Sequence, residues 1–146
     1  MSNQIANYAK GMFLEGQIAS SDTFKVILMV SGFVFDKDTQ QDYSDVSASE
    51  VASGNGYTTG GATLAGAAVT VSTTLDNAIL AWTTPLWTAS GGSIVASGAI
   101  IYDDSTATGD GDDYTDAIIS YIDFGGDITA VNGQILRVNN TNVTLA

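Results

Sequence analysis

A chain of 146 residues with no cysteine and no histidine is long enough to bury roughly 70% of its unfolded surface in one domain, and it has no disulfides or thiolate metal sites. It also lacks the commonest general base and the usual partner of a nucleophilic serine. Four basic residues, Lys10, Lys25, Lys37 and Arg137, stand against sixteen acidic ones for a net charge of −12. Almost nothing is present to displace phosphate counterions, which excludes DNA or RNA as a direct ligand.

The first segment reads as a helix from Ile5 to Glu15. Ile5, Tyr8, Ala9, Met12 and Phe13 share one helical face, Ser2 or Asn3 is a candidate cap, and Gly16 can end the helix. About twelve residues are marginal alone, so this stripe must pack on its own domain's sheet or on a neighbouring subunit. The first is the usual fate of such a stripe. Asp22 to Val30 is the clearest strand, with Phe24, Val26, Leu28 and Val30 alternating against Thr23, Lys25, Ile27 and Met29.

From Asp36 to Gly61 acidic and small polar residues give way to Gly54, Gly56, Gly60 and Gly61, the signature of a long surface excursion that is either functional or mobile. Five further strands follow, at 68–73, 77–83, 92–102, 117–124 and 134–145, separated by turn-forming residues. These elements predict a mainly β fold: one antiparallel β-sandwich or jelly-roll-like domain over residues 1–146. It comprises an N-terminal helical segment (1–21) and a β-domain (22–146).

Residues with chemical potential are few. Asp103, Asp104, Asp110, Asp112, Asp113 and Asp116 surround glycine-hinged turns. Of these, Asp110, Asp112 and Asp113 are a weak Ca²⁺ candidate, because the spacing departs from the EF-hand and nonapeptide patterns and a solvated acidic tip is commoner. Asp123 lies in the apolar strand segment Ile122-Asp-Phe124, where burial would raise its pKa. Alternation instead turns it toward solvent or a hydrogen-bond partner, and no constellation for catalysis forms around it. Trp82 is expected in the core, and Trp87, beside the only proline, is open to either core or interface. No catalytic residue and no cofactor is expected. The N-terminus lacks a secretory pattern, and no apolar run approaches the ~20 residues that span a bilayer, so cytosolic synthesis without a membrane partner is expected.

Blocks in fixed order run through the chain: the amphipathic start at Ile5–Glu15, the strand Asp22–Val30 and the corner Gly54-Asn-Gly-Tyr-Thr-Thr-Gly-Gly61. Ala99-Ile-Ile-Tyr-Asp-Asp104 and Ser120-Tyr-Ile-Asp-Phe-Gly125 complete the series. From about Tyr8 to Leu145 this order resembles the small virion structural proteins of tailed bacteriophages described as capsid decoration, cement or head proteins. The resemblance implies a non-enzymatic decoration or cement role that stabilises the shell: a homotrimer made in the host cytoplasm, bound to the major capsid protein on the outer face of the mature capsid. An acidic protein suits that face, since packaged DNA would repel it. Tyr8, Met12, Phe13 and Trp87, together with the 36–61 excursion, are the expected contacts. Two alternatives stay open: a low-copy head-fibre, neck or tail component that binds host glycans, and an acidic calcium-binding or carbohydrate-active domain.

Overall fold

The computed structural model describes residues 2–105 and 115–146. The chain is mainly β with antiparallel pairing throughout, and it carries a short N-terminal helix. The largest sheet has five strands: β1 (Ser2–Ile5), β2 (Phe24–Met29), β3 (Ala62–Thr63), β7 (Ile94–Asp103) and β8 (Ile118–Ala130), in the order β1-β8-β7-β2-β3. A second sheet has the order β10-β5-β4, from β4 (Ala68–Ser72), β5 (Asn77–Ala81) and β10 (Asn142–Leu145). A small ribbon pairs β6 (Leu86–Thr88) with β9 (Ile135–Arg137).

All three sheets contribute to one buried cluster. Val26, Ile27, Leu28 and Met29 of β2 are fully buried on both faces, so the mixed face expected of that strand is covered, and Val30 is partly exposed beyond its end. The Phe24 ring lies 4.8 Å from Trp82, which joins the first sheet to the segment leaving β5. Trp82 is buried, as expected of a tryptophan in a domain of this size.

Helix α1 spans Asn7–Glu15 and ends in a left-handed Gly16 at φ 74°, the termination expected of glycine. Its start differs from expectation. Ser2 to Ile5 pair with β8 as strand β1, and the N-cap is Ala6, without a side-chain cap. Ala9 and Met12 bury the inner face of α1 against its own domain.

The 36–61 segment is neither an extended arm nor a bare loop. Helix α2 (Tyr43–Val46) is held by a capping box. The Asp42 carboxylate accepts from the Ser44 and Asp45 N–H groups, and the Asp45 side chain accepts from the Asp42 N–H. A 3-10 turn at Ser47–Ser49 follows. The segment then runs beside β2, with Val30 N–H donating to Ser49 O (2.9 Å) and Val51 N–H to Leu28 O (2.9 Å). At its other limb, Ile118 N–H donates to Gln41 O (2.8 Å) and Tyr43 N–H to Asp116 O (3.0 Å). The excursion thus crosses from β8 to β2, and Tyr43 stacks on Tyr102 of the intervening β7 at 5.1 Å.

Candidate functional site

The sheet β10-β5-β4 carries an exposed apolar surface. Between Glu50 and Asp103 the only charged residue is Asp76, so in a chain of net charge −12 this sheet is almost free of charge. Strand β4 is an edge strand, and Val69 and Val71 are 58% and 71% exposed. Leu14, at the end of α1, is 91% exposed, and Leu145 on β10 is 39% exposed. Two hollows meet here. One, of about 210 Å³, is lined by Phe13, Ile18, Val69, Leu80 and Leu145 among others. The other, of about 390 Å³, is lined by Phe13, Leu14, Lys10 and Leu145 among others. Phe13 and Leu145 border both, so helix and sheet present one continuous apolar face. Large exposed apolar patches mark interaction surfaces, ligand grooves or aggregation liabilities.

The four residues expected to contact a partner separate into two groups. Phe13 is half-buried at the centre of that face, and Tyr8 is exposed beside a hollow of about 260 Å³ that Asn7, Gly11, Met12 and Glu15 also line. Met12 and Trp87 are corrected to core residues. Met12 lies three positions after Ala9 on the inner face of α1 and is 4% exposed. Trp87 is the middle residue of β6, whose alternation turns Leu86 and Thr88 outward and Trp87 inward, 5.6 Å from the Tyr57 ring. The 36–61 segment is likewise fastened down. Tyr57 is buried, its hydroxyl accepting from Leu28 N–H (3.0 Å) and donating to Glu50 (2.6 Å).

A second concave feature is lined by residues of β7, β8 and the segment that leaves β2. After Val30 the chain turns through Gly32, and Phe33 and Phe35 flank the Tyr121 ring at centroid distances of 5.5 and 5.4 Å. Tyr121 fits because Gly98 on the neighbouring strand has no side chain. A Cβ there would stand 2.5 Å from Tyr121 Cε2. Strand β8 does not stop at Phe124 as expected. Ala96 pairs with Ile128 and Gly98 with Asp123, so Phe124 to Asp127 bulge outward, with Gly125 and Gly126 supplying positive φ (78° and 149°). Asp123 and Asp127 therefore line the same cleft as Phe33, Phe35 and Tyr121, a space of about 310 Å³. Asp123 takes the hydrogen-bonding role alternation predicted, accepting from Gly125 N–H at 2.8 Å. Burial, and then the Asp123 charge, push the Tyr121 hydroxyl pKa up. The alternating aromatics Phe33-Val-Phe35 immediately after a strand were the available signal for this cleft. Sequence reading passed over them because it took Asp123 alone.

A third feature is acidic. Asp103 is 5% exposed, and burial first, with the neighbouring Asp22 carboxylate, raises its pKa from 3.8 to about 6. Its Oδ1 accepts from Ser105 N–H at 2.8 Å. Nearby, Lys25 pairs with Asp104 at 2.9 Å, and burial and the Asp104 charge push the Asp116 carboxyl up. The weak calcium candidates Asp110, Asp112 and Asp113 lie outside the described residues. Among the described residues, no group of three or more carboxylates is arranged to hold a metal ion, and no helix is long and apolar enough to cross a membrane.

No protein-family model matches the chain, and no curated protein or solved structure matches it. What the fold and these surfaces define is a mainly β protein with a charge-poor apolar face on one sheet and an aromatic, acid-rimmed cleft on another.

Proposed function

We propose that the chain is a non-enzymatic bacteriophage virion protein that binds the outer surface of the mature capsid as a decoration or cement protein. The observation that carries the reading is the continuous apolar face of half-buried Phe13 with exposed Leu14, Val69 and Leu145, and exposed Val71 two positions on along β4, on an otherwise strongly acidic chain. Apolar area removed from water contributes roughly 25 cal/mol per Å². A charge-poor face avoids the desolvation of carboxylates that docking through an acidic surface would impose. The resemblance of the block order from Tyr8 to Leu145 to capsid decoration proteins implies the rest: a homotrimer on the major capsid protein.

The work of such a protein is differential binding. A ligand that holds the expanded shell and not its precursor stabilises the expanded state by mass action. A trimer engages several shell subunits at once, so weak single contacts sum to a persistent attachment. The test is quantitative mass spectrometry of the virion whose genome encodes the chain. A copy number near that of the major capsid protein is expected. A handful of copies would move the chain to a fibre, neck or tail, and absence from the particle would overturn the virion reading.

A further inference from the structure

We propose that the cleft between the Gly32–Phe35 segment and the bulge of β8 binds the guanidinium group of an arginine presented by a partner protein. Three aromatic rings, Phe33, Phe35 and Tyr121, form its walls, and two carboxylates, Asp123 and Asp127, stand on its lining. One oxygen of each carboxylate is already engaged. Asp123 Oδ1 accepts from Gly125 N–H (2.8 Å), and Asp127 Oδ2 accepts from the Ser31 hydroxyl (2.6 Å). These bonds orient the carboxylates, and among the described residues nothing else donates to either. The second oxygen of each remains to accept from a ligand.

Charge and shape select the occupant. A cation over an aromatic face is attracted by the ring quadrupole within about 6 Å of its centroid. The planar guanidinium also stacks on rings and presents five donors in a fork that matches carboxylates. An ammonium ion offers neither the plane nor the fork, an anion is repelled, and a neutral sugar, although its hydroxyls can donate to the carboxylates, does not neutralise their charge. The chain's own cations do not fill the site. Lys25 pairs with Asp104 (2.9 Å), Lys37 with Asp38 (3.9 Å), Lys10 donates to Asn7 (3.1 Å), and Arg137 lies on β9. A net charge of −12 raises the local concentration of cationic groups at such a cleft. This site shares no residue with the apolar face and does not rest on the virion reading.

The test is an NMR titration of the full chain at constant ionic strength with N-acetyl-arginine amide, N-acetyl-lysine amide and tetramethylammonium chloride. The arginine probe is expected to shift the ring resonances of Phe33, Phe35 and Tyr121 saturably, with at least about fivefold higher affinity than the other two. The double variant Asp123→Asn, Asp127→Asn keeps an oxygen acceptor at each position. It is expected to weaken arginine binding about tenfold with amide dispersion unchanged. Phe33→Leu, a second and independent variant, is expected to remove the preference for arginine over lysine. Equal responses to all three probes, tighter binding of tetramethylammonium, or arginine affinity unchanged in the variants would overturn the proposal.

Discussion

The Glu50 carboxylate accepts a 2.6 Å hydrogen bond from the Tyr57 hydroxyl, and that contact ties two parts of the 36–61 segment together beside β2. Glu50 is 7% exposed and also accepts from the Tyr43 hydroxyl (2.6 Å) and Gly60 N–H (2.7 Å). The Tyr57 hydroxyl in turn receives Leu28 N–H. Hydrogen bonds to a charged group contribute about 1.5–3 kcal/mol each, and orphaned buried partners add to the loss. Glu50→Ala should therefore destabilise the chain by about 3 kcal/mol or more. Glu50→Gln, which retains one acceptor oxygen, should cost less. Urea unfolding of both variants checks the order; equal, small losses would mean the segment is held elsewhere.

The same network makes the fold sensitive to alkali. Burial first, then hydrogen bonding to Glu50, pushes the Tyr43 hydroxyl from 10.0 up to about 12, and burial raises Tyr57 and Tyr102 as well. Above pH 10 the unfolded chain releases these protons while the native chain keeps them, so stability falls as pH rises. Cooperative unfolding with simultaneous ionisation of these tyrosines is expected, read by absorbance at the phenolate band and by circular dichroism. Ionisation of all six tyrosines near pH 10 with the fold intact would contradict it.

Asp103 sets the opposite end of the pH scale. Its native pKa of about 6 stands above the ordinary 3.8. Below about pH 4 both states hold the proton and the native state has its full advantage. Between pH 4 and 6 only the native state holds it, and stability declines as pH rises, by about 2–3 kcal/mol in total. Asp103→Asn keeps an acceptor for Ser105 N–H and removes the titration. The variant's stability relative to the native chain should grow from pH 4 to pH 6 in denaturant titrations. A difference that does not change with pH would show that Asp103 is not the titrating group.

Strands carried by hydrophobic runs were legible. The cores of β2, β4, β5, β7 and β8 fall where alternation and turn residues put them. Three short strands were not. Ser2–Ile5 carries one apolar position suited to either period, and β3 and β6 are too short to show any. The 36–61 segment read as loop because its order comes from polar groups acting locally, Asp42 and Asp45 at a helix start, and from Glu50 and Tyr57, which bond each other and reach Leu28 on a strand distant in sequence. The Gly125-Gly126 pair read as a strand end because glycine marks turns and bulges alike. Only the partner strand decides which. Of the apolar face, Phe13 was visible as part of an amphipathic stripe. Leu14 was not, since it lies off that stripe and becomes part of a surface only where α1 meets β10.

The central claim is that the face around Phe13 and Leu145 docks on the capsid. Its most direct test is co-sedimentation of the double variant Leu14→Glu, Val71→Glu with mature capsids lacking the native protein. Both side chains are exposed, at 91% and 71%, so the melting temperature should be unchanged while two desolvated carboxylates oppose docking. The account predicts at least about a tenfold loss of capsid binding. Binding equal to that of the native chain, with the fold intact, would contradict it.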